Sequence, residues 1–289
     1  MRIGLNSINA LCAIQKFILE KSSDKKHVLW ECRHKVINVM SNQGFLEPKK
    51  SFATLAIHAG QDPDQWNSGA VVPPIVTSTT FKQPAPAEHT GFEYGRSGNP
   101  SRNTLEECMA ALEGGKHGLA FASGLGATTV ILSLLSKSDH ILSSDDLYGG
   151  TNRLFRDVAS SISVVLTALV TTVVDKASGS RRVMARMGID TTFTDFTDVN
   201  KVEKEIRPNT KLIWIETPTN PILKVADIAA ISKVAKKHGD ITVVVDNTFL
   251  TSYLQRPLDF GADIVMYSLT KYMNGHSDVI MGAAMIKRR

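Results

Sequence analysis

The chain has 289 residues, of which 43% are hydrophobic, 21% charged and 7% aromatic. That mixture can bury a sizeable core and excludes the disordered, collagenous and membrane-spanning classes; the longest weakly polar run, Ser161 to Val174, is too short and too rich in hydroxyls to cross a bilayer. The 33 basic and 28 acidic residues leave a net charge of +5, and nine bases against four acids in residues 1–50 account for all of it, so the rest of the chain is balanced and a nucleic-acid footprint is not supported.

Residues 1–39 differ in texture from the rest of the chain, with scattered apolar residues and a charged patch from Lys21 to His27. They read as a loosely ordered leader with no secretory apolar core. Residues 40–100 read as an extended, looping arm, punctuated at Pro73-Pro74, Pro84 to Pro86 and Gly95 to Pro100. From residue 101 to 289 strand and helix signals alternate. Gly118 to Ala122 is a short apolar run ending in Ser123-Gly-Leu-Gly126, and Ala127 to Leu135 continues with helical character. His140 to Ser143, Lys211 to Ile215, Ile241 to Val245 and Asp263 to Tyr267 are further strands, Ile228 to His238 carries apolar residues at helical spacing, and Val279 to Ile286 is a last apolar run. The expected fold is α/β, with a largely parallel sheet. Nothing after the last strand is expected to form a second domain. Polar residues recur just past the strand ends (Ser123, Asp145, Glu216, Asp246, Ser268, Lys271), and in open α/β sheets that edge holds the ligand. The three cysteines, Cys12, Cys32 and Cys108, have neither zinc spacing nor an even count, so reduced thiols, a cytoplasmic address and no metal are expected.

Lys271 is the centre of the candidate chemistry. A lysine desolvated at a strand end has a lowered pKa and can attack a carbonyl to form a Schiff base, although most lysines at helix starts are simply solvated. Asp246 ends a run of three valines, where a carboxylate could hold a pyridine nitrogen protonated or merely cap a turn. Ser123 to Gly126 lies between strand and helix, where backbone N–H groups bind phosphate; it is neither GxGxxG nor the Walker pattern. Tyr148, beside two glycines, could stack on a flat ring or pack a loop. Tyr94 and Arg96 lie on the arm, and the arginine fork suits phosphate. Ser268 and Lys271 also match the S-x-x-K of serine–lysine acyl enzymes, but no clear S-D-N or K-T-G partner accompanies them.

Taken together, Ser-Gly-Leu at 123–125, Asp-Asn-Thr at 246–248 and Ser-Leu-Thr-Lys at 268–271 resemble the Cys/Met-metabolism pyridoxal phosphate enzymes. Long stretches carry the likeness, among them Gly91 to Asn103, Asp145 to Arg156, Trp214 to Pro221 and Lys237 to Gly282. The resemblance implies the aspartate-aminotransferase-like (type I) large domain, a mostly parallel sheet with helices on both faces, without the family's small C-terminal domain. It implies pyridoxal 5′-phosphate as cofactor. Lys271 would bind it covalently and move protons on the substrate, Asp246 would pair with the pyridine nitrogen, and Tyr148 would stack on the ring. Ser123, Gly124, Leu125, Ser268 and Thr270 would hold the phosphate, and Glu216 and Asn220 would line the cofactor. Tyr94 and Arg96 would serve the neighbouring subunit of a homo-oligomer, a tetramer in the family. The implied reaction is cleavage of cystathionine to cysteine, 2-oxobutanoate and ammonia, with hydrogen sulfide as a side product. The alternatives are γ-synthesis, γ-elimination from methionine, or a fragment that binds only cofactor or subunits. Against the family pattern, residues 161–185 read as an insertion and residues 1–39 as an addition.

Overall fold

The structure, a computed structural model, describes residues 51–156 and 188–287. The expected leader (1–39) and insertion (161–185) lie outside these residues. A short helix, α1 (Phe52–His58), is followed by irregular chain with a 3-10 turn at Pro63–Gln65 and isolated bridges pairing Thr80 with Tyr94 and Ala85 with Glu88. Helix α2 (Pro100–Glu113) begins where its sequence requires: the Asn99 side chain accepts from the Ser101 and Arg102 amides, Pro100 occupies the first helical position, and Gly114 ends the helix in the left-handed region.

Seven strands follow: β1 (His117–Phe121), β2 (His140–Ser144), β3 (Asp190–Thr194), β4 (Thr210–Glu216), β5 (Thr242–Asp246), β6 (Ile264–Ser268) and β7 (Gly282–Ile286). Between them run α3 (Gly124–Leu132), α4 (Gly149–Arg156), α5 (Val199–Lys204), α6 (Ile228–Lys237) and α7 (Thr251–Leu254). One sheet holds them in the order β1-β7-β6-β5-β4-β2-β3. Neighbours from β6 to β3 are parallel, and β7 is inserted antiparallel between β1 and β6.

The sheet is covered on both faces, as its near-continuous apolar strands demand. On one face Met109 and Ala110 of α2 and Ile228, Ile231 and Ala235 of α6 pack over Ile213, Ile215, Val243, Val245 and Val265. On the other, Ala127, Ile131 and Leu132 of α3 and Phe155 of α4 pack over Ile141, Leu212, Trp214, Val244 and Met266, with the Phe155 and Trp214 rings edge-on at 5.4 Å. Alternate residues of one strand thus serve opposite faces, each large buried side chain contributing about 1.5–3 kcal/mol. The consequence for function is positional. Because β7 reverses, β1 runs in the same sense as β6, and the carboxyl ends of β1, β6, β5, β4 and β2 share one edge.

Candidate active site

That edge carries a cavity of about 250 Å³. The strand ends deliver Glu216 from β4, Asp246 from β5 and Ser268 from β6; the connections just beyond add Tyr148, Asn220, Thr270 and Lys271, and the start of α3 adds Ser123, Gly124 and Leu125. Ten of the residues singled out in the sequence therefore line a single cavity. Tyr94 and Arg96 do not. They line a separate cleft with Ser78, Thr79, Asn99 and Arg102, where the Arg96 guanidinium lies 4.6 Å from the centre of the Tyr94 ring.

One end of the cavity is built to receive an anion. The Ser123 hydroxyl accepts from the Gly126 amide at 2.9 Å and so caps α3. The capping leaves the Gly124 and Leu125 N–H groups as the donors that any helix start leaves over, and the helix dipole favours negative charge there. Only glycine fits at 124, because a Cβ would stand 2.9 Å from the Ser268 Cβ. The Thr270 hydroxyl, expected beside a phosphate, is engaged with Met281, donating to its carbonyl at 3.2 Å and accepting from its amide at 3.1 Å.

The other end is acidic. Glu216 and Asp246 are register partners on adjacent parallel strands, 5% and 7% exposed. Burial, reinforced by the Asp246 carboxylate, pushes the Glu216 carboxyl up to about 8, and burial raises Asp246 as well. Opposing this, the Tyr148 amide donates to Glu216 Oε2 at 2.9 Å, and Asp246 Oδ1 accepts from the Thr248 amide at 3.1 Å and hydroxyl at 2.6 Å. Two buried carboxyls side by side favour a cation between or beside them. Thr248, to which the sequence reading gave no role, ties the pair to β6 by accepting from the Ser268 amide at 2.9 Å; the Asp-Asn-Thr motif already carried it.

Lys271 lines the same cavity but is exposed, not desolvated as the sequence reading expected. The buried residue past β6 is Leu269, and Lys271 leads into a 3-10 turn, Tyr272–Asn274. Ser268 ends a strand rather than starting a helix, which does not favour the acyl-enzyme arrangement. The fit to pyridoxal phosphate is good on this geometry: anion donors at one end, a carboxylate pair for a protonated ring nitrogen at the other, an aromatic side chain (Tyr148, 43% exposed) and a primary amine. Among the described residues no cluster of His, Cys, Asp and Glu could hold a metal ion, and no helix is long and apolar enough to cross a membrane.

Fold and site define an α/β protein with a polar crevice at the carboxyl edge of its sheet, whose lining fits a phosphate-bearing ring. Comparison with known proteins narrows this. The family described as Cys/Met metabolism PLP-dependent enzyme matches residues 53–180 and 177–289. Human cystathionine gamma-lyase is 54% identical over 246 residues, 85% of this chain and 55% of that protein. The crystal structure of metB from Corynebacterium glutamicum superposes with a TM-score of 0.70 at 42% identity, covering 84% of this chain and 57% of that one. Cystathionine gamma-lyase from Lactobacillus plantarum, complexed with L-serine, gives 0.69 at 41% identity, over 82% and 55%. The chain belongs to the Cys/Met metabolism PLP-dependent enzyme family, whose cofactor is pyridoxal 5′-phosphate, and it spans about half the length of the curated relatives it matches.

Proposed function

We propose that the chain serves a pyridoxal-phosphate-dependent carbon–sulfur lyase that cleaves L-cystathionine to L-cysteine, 2-oxobutanoate and ammonia, with release of hydrogen sulfide as a side reaction. The observation that carries the reading is the gathering of Lys271, the Glu216–Asp246 pair and the α3 start in one cavity. The likeness to proteins named cystathionine gamma-lyase supplies the substrate.

When bound, the cofactor supplies an electron sink for the carbanion at the substrate α-carbon. The chain's residues do the rest. The Gly124 and Leu125 amides and the Ser268 hydroxyl would hold the phosphate, with Ser123 shaping the turn and Thr270 fixing the Lys271 turn to Met281. Asp246 would keep a proton on the ring nitrogen, and Glu216 and Asn220 would close that side. Tyr148 would stack on the ring and exclude water. The Lys271 ε-amine would hold the cofactor and, once freed by substrate, would handle one proton at a time. It would take the α-carbon proton and hand it on to the electron sink, then, neutral again, take a β-carbon proton and deliver it to the γ-sulfur that leaves as cysteine, with water releasing 2-oxobutanoate and ammonia from the remaining four carbons. Tyr94 and Arg96 serve the phosphate of a neighbouring copy in a homo-oligomer, a reading supported by their separation from this chain's own cavity. A cytoplasmic location belongs to the same reading, and Cys108, a free thiol, is consistent with it.

The test is incubation of the full chain with pyridoxal phosphate and L-cystathionine, with cysteine and 2-oxobutanoate assayed together. Equimolar products support the lyase. Turnover of methionine in preference to cystathionine would move the assignment within the family. Cofactor binding without turnover of either would leave a chain that binds cofactor or subunits only.

A further inference from the structure

Three neighbouring strand ends meet at one ammonium group that no motif marks. Lys224 Nζ donates to both oxygens of Asp145, at 2.9 and 2.8 Å, and lies 3.3 Å from Asp195 Oδ2. Asp145 immediately follows β2, Asp195 immediately follows β3, and Lys224 belongs to the loop after β4; β4, β2 and β3 are adjacent in the sheet. Each side of the contact is anchored. The Asp145 amide donates to Thr194 O at 2.9 Å, and Asp195 Oδ1 accepts from the amide and hydroxyl of Thr197. The Lys224 amide donates to the Thr219 hydroxyl at 2.8 Å, its carbonyl accepts from the Thr219 amide at 3.0 Å, and the Ile222 amide donates to Asp146 Oδ2 at 3.1 Å.

The loops after β2 and β4 each supply part of the cavity wall: Tyr148 stands three residues beyond Asp145, and Asn220 four residues before Lys224. We propose that Lys224 is a positioning residue for the cofactor site, its ammonium setting the spacing between the Tyr148 loop and the Asn220 loop. The inference rests on the reading of Tyr148 and Asn220 as residues that flank the cofactor ring.

Isolated surface ion pairs contribute little. This one differs because a single cation faces two carboxylates. The Lys224 side chain is 25% exposed. Its removal leaves Asp145 and Asp195 opposed, with Asp146 adding negative charge from the same edge. The repulsion acts on the segment that bears Tyr148, which the Tyr148 amide's donation to Glu216 and the Ile222 amide's donation to Asp146 still tie to the β4 side.

The experiment uses the full chain and pyridoxal 5′-phosphate, with two readouts: titrated affinity, and the visible circular dichroism of bound cofactor, which reports ring orientation. Lys224→Met is expected to weaken affinity about tenfold, as small misplacements of supporting groups do, and to lower the dichroism per bound cofactor. Lys224→Arg should keep both within about twofold, since the charge remains. Adding Asp145→Asn to Lys224→Met should restore part of the loss by removing the repulsion. Should Lys224→Met fail to fold, Asp145→Asn alone breaks the bidentate contact and should move both readouts in the same direction by a smaller amount. Wild-type affinity and dichroism in the folded Lys224→Met chain, or in Asp145→Asn, overturn the proposal. No cofactor band in the unsubstituted chain would instead refute the functional reading, and this inference with it.

Discussion

Gly282→Ala tests whether the start of α3 is a cofactor-binding device. A Cβ at Gly282 would lie 2.3 Å from the Ser123 carbonyl oxygen, 2.6 Å from its carbon and 2.8 Å from the Gly124 nitrogen, where ordinary contact begins at 3.4 Å. The Ser123–Gly124 backbone must therefore retreat by about 1 Å, which carries an N–H donor out of hydrogen-bond reach of a phosphate held elsewhere. Overpacking of this kind costs about 1–3 kcal/mol, or a fall in melting temperature of about 2–4 °C per kcal/mol. Gly118→Ala supplies the control. Its Cβ would lie 2.2 Å from the Glu106 carbonyl oxygen, an equally tight clash between β1 and α2, but neither residue lines the cavity. Both variants should melt earlier in scanning calorimetry. Only Gly282→Ala should also lose affinity for pyridoxal phosphate, by about tenfold if the displaced donors are worth about 1.4 kcal/mol. Equal affinity in the two variants would refute the reasoning.

Other outcomes rest on the same geometry. Burial pushes the Glu113 carboxyl up to about 8 against the donation from Tyr267 at 2.5 Å; its folded-state value lies above its unfolded one, so between about 4.5 and 8 the folded chain holds the extra proton and stability falls as pH rises. Glu113→Gln, which keeps the acceptor for Tyr267, should flatten that slope in urea unfolding at pH 5, 6.5 and 8, by on the order of 5 kcal/mol at most at about 1.4 kcal/mol per unit; an unchanged slope would contradict the assignment. Asn99→Ala removes the acceptor for the Ser101 and Arg102 amides and the donor to Val76 O at 3.0 Å; it should cost about 1–2 kcal/mol in the same assay. Asp246→Asn should weaken cofactor binding and lower the Glu216 carboxyl toward its ordinary range, because the neighbouring negative charge is gone; a pH titration of the bound cofactor's absorbance reads both effects.

Much of the fold was legible because its strands are apolar on both sides. Val243 to Val245 and Leu212 to Ile215 can only be buried runs, and each ends on a carboxylate. β3 escaped notice because Asp-Thr-Thr-Phe-Thr is polar, as an edge strand paired only to β2 can be. α2 also escaped, although Asn99-Pro100 and Gly114 mark its two ends; the loop character of Gly95 to Pro100 hid the cap inside it. The insertion of β7 between β1 and β6 is a pairing over more than a hundred residues, which no local pattern encodes. The same holds within the site. Motifs found Ser123, Asp246 and Lys271 one by one, but the contact of Glu216 with Asp246 comes from the β4–β5 register, and the Lys224 clamp from the meeting of three strand ends. Tyr94 and Arg96 were equally prominent in sequence yet stand in another cleft.

The most direct measurement is the visible spectrum of the chain with pyridoxal phosphate, before and after borohydride reduction, beside Lys271→Ala. A cofactor band that becomes irreversibly attached to the wild-type chain and stays removable from Lys271→Ala is the predicted result. Attachment that persists in Lys271→Ala, or no band from a soluble wild-type chain, would contradict the assignment of this cavity as the cofactor site.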